Sequence, residues 1–434
     1  MPPVEPFNLN ADGASPAPRP RPSWVRDHIA RFNRKLEPRF RKLKGTLLSQ
    51  SPFAFFRGTD HLFWADFGRS PLLEEFGGGK KTRLWISGDA HCGNFGSFTD
   101  ATGRLVYDLD DFDETIVADY QMDLFRLAVS LVLAGRENKR APKSIHRMAV
   151  ECGWGYWREI KACRWYKNVR HIPWDEEAAS GSLRHFLNHT RKHLGVLPTL
   201  ERFTQTGKNG LRFKTGTGKE LEALPPETAK KLEKALKWYA GDLKPWPAGK
   251  PRVFEVLDLA RRLKAGIGSE GLDRFYALAR VKDEGEEPYR ILEIKQQVKP
   301  SPWDELPPKA KRKTRELSEE SQALRVDLGT RALSRHTDPW LGRLEWKGDE
   351  YSVRERSPYK ATLPETLLDE VAAGQLGAIL ARAHCRAKDS FAKNAYELIK
   401  PERKAFRKGL AVIAQAYADQ VEMDFQSFLA TEPG

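Results

Sequence analysis

Trp24, Ile29, Phe32, Leu36, Phe40 and Leu43 recur at near-helical spacing among arginines and lysines, which predicts an amphipathic helix. The dense aromatic run in SPFAFFRGTD, residues 51–60, reads as core. RLWIS, residues 83–87, has the pattern of a short buried strand. GRLVYD follows a turn at Asp100 to Gly103, so a hairpin is predicted there. From Asp119 to Leu133 the apolar positions describe a mostly buried helix containing Asp123 and Arg126. Residues 141–250 mix helix and loop, with RFTQTGKNGLRFKTG as a surface hairpin turning at Asn209-Gly210. LKPWPAGKP, residues 243–251, stops any helix with prolines and glycine and marks the best boundary. Beyond it come β-like runs at 274–281 and 289–295, a Pro- and Lys-rich loop at 299–313 and a helix from about 315. A hairpin at 340–356 and two long helical patterns from 364 onward complete the series, without an internal repeat.

Composition changes this picture in a few respects. A chain of 434 residues exceeds one typical domain, so two lobes are expected. With 40% hydrophobic residues, 12 Trp and 22 Phe, it carries ample material for a sizeable core. Lys and Arg (73) outnumber Asp and Glu (59), and the net charge of +14 suits anionic partners. The positive charge is scattered rather than blocked, which favours a solvated basic surface over a nucleic-acid interface. Cys92, Cys152, Cys163 and Cys385 form no C-x-x-C pair, which argues against a zinc site and a disulfide scaffold. No apolar run reaches the roughly 18 residues of a membrane span. The Pro-rich start, residues 1–23, reads as a flexible arm without a signal-peptide core, and a reducing cytoplasm is the default location.

The chemistry concentrates in GDAHCGNFGSF, residues 88–98, and in YDLDDFDET just beyond it. Acidic clusters repel themselves, so a fold keeps one where a cation offsets it. Asp89 and Asn94 stand five residues apart. That is the spacing of a kinase catalytic loop, where the aspartate takes a hydroxyl proton and the asparagine holds magnesium. Phosphoryl transfer needs such a carboxylate, and hard oxygen ligands for the ion that offsets phosphate charge. A second ligand would come from the acidic cluster. Asp108 follows Asn94 by 14 residues, the usual gap, and Asp111 follows by 17.

These motifs resemble the protein-kinase-like superfamily, nearest the aminoglycoside and choline phosphotransferases, whose loop is often H-G-D-x-H-x-x-N. The chain keeps Gly88, Asp89, His91 and Asn94, with Ser87 where the histidine sits. The whole chain also resembles a bacterial family of unknown function in that superfamily, carrying SPFAFFRG, GDAHCGNFG and DDFDET near its start. In the register of the resemblance DFDETIVADYQMDL runs from the metal aspartate to the aspartate of the next helix. That favours Asp111 as the metal ligand and makes Asp123 the helix aspartate that binds the catalytic loop.

A nucleotide lobe should precede the catalytic loop, yet nothing before residue 83 offers a glycine-rich loop. Gly266, Gly268 and Gly271, with Ser269 among them, form G-x-G-x-x-G later, followed by the strands RFYALARV and YRILEIKQQ. Two strands ending in an apolar-flanked lysine fit a kinase phosphate cover better than a dinucleotide fold. Lys295 would then reach the phosphates of ATP. QLGAILARAHC, residues 375–385, resembles the helix preceding the catalytic loop. The resemblance therefore implies an α+β, two-lobed, protein-kinase-like fold in circularly permuted order. Residues 24–248 would form a helical catalytic lobe, 249–360 a β-rich nucleotide lobe, and 361–434 the helices completing the first. Asp89 and Lys295 are the expected catalytic residues, Asn94 and Asp111 the magnesium ligands. The glycine loop and Lys295 would hold ATP, with Glu320 pairing that lysine. Arg354 and Lys360 read as a solvated charged edge within reach of phosphate or substrate. Two functions stay open, a phosphotransferase acting on an unidentified hydroxyl and a catalytically silent nucleotide-binding module. A nucleic-acid binder, resting on charge alone, stands behind both.

Overall fold

Pro38 divides the amphipathic stretch near the start into two helices, α1 (Arg21–Asn33) and α2 (Pro38–Leu48), because proline suits a first helical turn and not an interior. The computed structural model describes residues 20–207, 210–243, 253–263, 271–281 and 288–430. The aromatic run forms α3 (Pro52–Gly58), capped by Ser51, whose side chain accepts from the Ala54 amide, and α4 (Asp60–Phe67). Strand β1 (Arg83–Ile86) leads into the glycine-rich stretch. There follow β2 (Phe95–Thr99), β3 (Leu105–Leu109) and β4 (Ile116–Asp119), of which β2 pairs with β3 and β4 returns to β1. The β2–β3 turn is fixed by Asp100, whose Oδ1 accepts from Thr102 and Arg104 amides, and by Gly103 at φ +77°.

Helices α5 (Gln121–Glu137), α6 (Pro142–Trp165), α7 (Gly181–His193) and α8 (Val196–Phe203) come next. The predicted hairpin follows as β5 (Thr204–Gly207) and β6 (Gly210–Phe213), its turn residues 208–209 lying outside the described residues. Then come β7 (Leu221–Ala223), α9 (Pro226–Asp242), β8 (Phe254–Arg262), β9 (Arg274–Val281) and β10 (Tyr289–Gln297). The segment expected to be a loop up to 313 is already helical in α10 (Pro308–Ser318), with Pro308 at its first position. After α11 (Gln322–Leu333), the hairpin β11 (Gly342–Trp346) and β12 (Asp349–Glu355) precedes three helices, α12 (Glu370–Ala387), α13 (Phe391–Ile399) and α14 (Arg403–Leu429).

The fold is α+β, mixed helix and sheet. One antiparallel sheet has the order β11-β12-β10-β9-β8-β7. Leu292 and Ile294 of β10 point into a core shared with Leu232, Leu236 and Tyr239 of α9. The opposite face meets Phe203 and Phe213 through Tyr276, Leu278 and Ile291. The sheet unit thus draws in β7 and α9, so its packing begins before the Pro- and Gly-rich stretch at 243–251.

A separate, larger core joins α1 and α3 through α6 to α12 and α14, with Phe56, Leu127, Tyr156, Leu380 and Tyr417 fully or nearly fully buried. Helices α6 and α12 meet backbone to backbone: a Cβ on Gly155 would lie 1.9 Å from the Gly374 carbonyl, and one on Gly377 2.1 Å from that of Cys152. Only glycine fits such an approach. Among the described residues no helix is long and apolar enough to cross a membrane.

Candidate functional site

The loop between β1 and β2 is held from beneath by a buried carboxylate. Asp123, in the first turn of α5, accepts from the Ser87 amide at 2.8 Å and the Gly88 amide at 2.9 Å. His384 of α12 lies 3.2 Å from the same carboxylate, and Tyr156 meets the other ring nitrogen at 2.7 Å. Gly88 is required twice over: its φ is +84°, and a Cβ there would lie 2.1 Å from the Glu114 carbonyl oxygen. The Trp64 indole donates to the Gly88 carbonyl at 3.0 Å. With these anchors the turn presents Asp89, His91 and Asn94 to a cleft of about 410 Å³ between the loop and the sheet.

Asp89 rests on Arg126, whose Nε donates at 2.6 Å and also lies 3.2 Å from Asp60. The guanidinium is fully buried, and its Nη2 donates to the Phe56 carbonyl at 2.9 Å. Burial pushes the Asp89 carboxyl up to about 7, with the Arg126 charge and hydrogen bond pulling against it. Burial likewise raises Asp60 well above the carboxylate range. Burial also holds His91 well below its usual range, so the imidazole is neutral and its Nδ1 accepts from the Gly93 amide.

The β2–β3 hairpin brings the two expected metal ligands to one end. Phe95 faces Leu109 in register, and the Asp110 amide donates to the Asn94 carbonyl at 3.1 Å. The Asn94 side-chain amide donates to the Asp89 carbonyl at 2.8 Å, which leaves its side-chain oxygen as the other end.

The acidic stretch that follows is divided among separate partners. Asp108 meets Arg386 at 2.7 Å, which draws it away from the cleft. Asp110 meets Lys360 at 3.2 Å, Asp113 meets Lys295, and the Glu114 carboxylate accepts from the Ser301 amide. Asp111 differs. Among the described residues no ion pair takes it up, and its Oδ1 accepts from the Asp113 amide at 3.3 Å while it lines the cleft. Burial disfavours its charge, but Lys295, Arg354, Lys360 and Arg274 outweigh burial and hold the carboxyl down at about 2. Its ionised oxygens are therefore of the kind that suits a hard cation.

Opposite lies the polar face of β10. Glu293, Lys295 and Gln297 alternate with the core residues Leu292 and Ile294, and all three are nearly buried. Burial lowers Lys295 to about 8, with Asp111 as the leading charge opposing that fall. The ammonium pairs with Asp113, and Gln297 Nε2 donates to the same residue at 2.9 Å. The partner proposed for Lys295 is thus replaced: Glu320 lies exposed at φ +64° in the turn between α10 and α11, beside Arg315 and Lys311 in another groove. The helix facing β10 is α11, whose buried charge is Arg325, bonded to the Thr115 and Val298 carbonyls. Arg354, expected at a solvated edge, is instead tied to Glu293 at 3.2 Å and to the Asp110 carbonyl at 2.7 Å.

Gly266, Gly268 and Ser269 lie outside the described residues; Gly271 is described, at φ +87°, with Leu36 and Phe40 against it and Leu272 on the cleft wall. Sequence reasoning overlooked Asp60, Arg126 and Asp113 as site residues. A charge inside the apolar run LFRLAVSLVL was the available signal, since an arginine there needs a buried acidic partner.

Among the described residues no group of three or more His, Cys, Asp or Glu is arranged to hold a metal by protein ligands alone. Asp111 and Asn94 supply two hard oxygens, a set that fits magnesium completed by phosphate and water.

The family model for an uncharacterized protein conserved in bacteria, DUF2252, matches residues 35–431. The chain belongs to the DUF2252 family. That match brings no tie to the protein-kinase-like superfamily with it. No match to the chain was found among curated proteins or among solved structures.

Proposed function

We propose that this DUF2252 protein is an ATP- and magnesium-dependent phosphotransferase of permuted kinase-like organisation, moving the γ-phosphoryl to a hydroxyl of a small molecule or protein. One observation carries the reading: Asp89, Asn94 and Asp111 share a cleft with the face of β10 that bears Lys295, a residue 184 positions after Asp111. In this reading Asp89 accepts the proton of the attacking hydroxyl, and Arg126 fixes its direction. Lys295 exchanges its Asp113 contact for phosphate oxygens, and Arg274 and Arg354 line the same wall. Magnesium, held by Asp111 and Asn94, would offset the charge of the phosphates. Neutral His91 shapes the turn without adding charge beside the base.

A second reading has its own support. A catalytically silent nucleotide-binding module fits α11, which presents Arg325 to the sheet and no acid that pairs Lys295. Thermal denaturation with Mg-ATP tests what both share, since a ligand of the folded state raises the melting temperature. Asp111→Ala should abolish the magnesium-dependent part of that rise. No rise with any purine nucleotide at millimolar concentration removes both readings. Asp89→Asn then separates them. Turnover should fall about 10²- to 10⁴-fold while nucleotide binding survives, and equal ATP consumption by the two proteins excludes Asp89 as the base.

A further inference from the structure

The aromatic segment of residues 51–60, read from its sequence as core, brings two charges to the catalytic loop. Asp60 turns inward to Arg126. Arg57, one turn earlier, lines the cleft together with Asp89, His91 and Asn94. Its guanidinium lies against the loop itself, with Cζ 3.7 Å from where a Cβ on Gly93 would stand and 5.6 Å from the Phe53 ring centroid. Its charge is felt by His91 and by half-buried Glu365.

Five other cations around the cleft are paired, while Lys299 and Arg356 have no carboxylate partner among the described residues. Lys295 pairs with Asp113, Lys360 with Asp110, Arg262 with Glu220, and Arg274 and Arg354 with Glu293. Of Arg57, Lys299 and Arg356, Arg57 alone keeps a buried nitrogen unpartnered. Among the described residues no hydrogen bond or ion pair takes up its guanidinium, and its Nε is buried without a partner. An unpaired cation beside a site is costly to keep unless something anionic arrives. Its planar fork suits two oxygens of one group.

We propose that Arg57 binds an oxyanion of the phosphoryl acceptor, a phosphate or a carboxylate, next to the hydroxyl that Asp89 addresses. The word acceptor rests on the phosphotransferase reading; the anion site does not. The position explains the choice of ligand. The sheet cations stand on the wall assigned to nucleotide phosphates in the proposed reading, whereas Arg57 comes from α3 and lies against the Asp89 loop at Gly93.

The test uses the full chain, with Mg-AMPPNP present to fill the nucleotide site, and titrates inorganic phosphate or acetate by calorimetry. Wild type should bind one or both anions at millimolar concentration. Arg57→Gln should weaken that binding about tenfold or more and leave Mg-AMPPNP affinity unchanged. Arg57→Lys should fall between them, because it keeps the charge and loses the fork. The preferred anion names the acceptor's charged group. No binding of either anion to wild type, or equal binding to wild type and Arg57→Gln, overturns the proposal. A selective loss of Mg-AMPPNP affinity in Arg57→Gln also overturns it, because the guanidinium then serves the nucleotide. If Mg-AMPPNP fails to bind while anion binding still depends on Arg57, the oxyanion site stands and the phosphotransferase reading falls.

Discussion

Replacing Arg126 by methionine probes the buried charge beneath Asp89. The side chain is fully buried, with Asp89 at 2.6 Å, Asp60 at 3.2 Å, and the guanidinium 3.9 Å from the Phe56 ring centroid. Methionine fills much of the same volume, so the cost of a cavity is small. What disappears is the cation, which leaves two carboxyl groups facing each other out of water. Removing one partner of a buried pair costs about 3–5 kcal/mol. The Phe56 carbonyl also loses its donor, worth about 1 kcal/mol. Together these predict a loss of about 4–6 kcal/mol near neutral pH. The sign of its pH dependence follows. Burial already raises Asp60 and Asp89, and Arg126 lowers both, so without it both rise further. The native variant then binds more protons than its unfolded chain, whose carboxyls titrate near 4, and it gains stability as pH falls. The gap to wild type should therefore narrow as pH falls from the alkaline side toward about 7, where Asp89 begins to be protonated in the wild type as well. Urea denaturation followed by circular dichroism and tryptophan fluorescence measures it. A loss below about 1 kcal/mol, or a gap that stays constant over that range, would refute the arrangement.

Lys295→Met should weaken Mg-ATP binding about tenfold or more and act non-additively with Asp111→Ala, because in the proposed reading both serve the same phosphates; additive losses in calorimetry would contradict a shared site. Gly155→Ala should cost about 2–3 kcal/mol in thermal or urea denaturation, because its methyl meets the Gly374 carbonyl. Gly409→Ala, on α14 with nothing within 4 Å of the new atom, should be neutral or stabilising. Burial holds His28 at about 4 and His61 well below its usual range, whereas the unfolded chain takes these protons near 6.5. Their contribution is present above about pH 6.5 and lost as pH falls toward 4, so His61→Phe should flatten the stability profile in that window.

The parts of the site that could be read from the sequence are those fixed by local rules. Asp100 and Gly103 dictate a turn on their own, so the hairpin that sets Asn94 beside Asp110 was visible. The apolar alternation in YRILEIKQQ gave β10 and placed Lys295 on its polar face. Asp123 followed from the resemblance carried by DFDETIVADYQMDL, and the structure sets its carboxylate on the Ser87 and Gly88 amides. The misses belong to tertiary partnership. Nothing within reach of Asp113 along the chain announces Lys295, and Glu320 was expected there because the resemblance calls for a helix glutamate to pair that lysine and the helix from about 315 offers one. The proline pair at 307–308 suggested a loop, although proline at a first helical position is also how α10 begins.

The placement of the sheet between two halves of the helical body has a consequence for synthesis. Apolar faces of α5 and α6 are covered by α14 and α12, and about 205 residues separate the end of α6 from the start of α12. At typical elongation rates those faces wait roughly 10–40 s for their cover. The sheet unit emerges in the meantime, with its own core closed by α9 and, last, by the β11–β12 hairpin. The middle of this chain can therefore close before its beginning does, and a ribosome stalled before residue 370 would expose a half-built helical core next to a finished sheet.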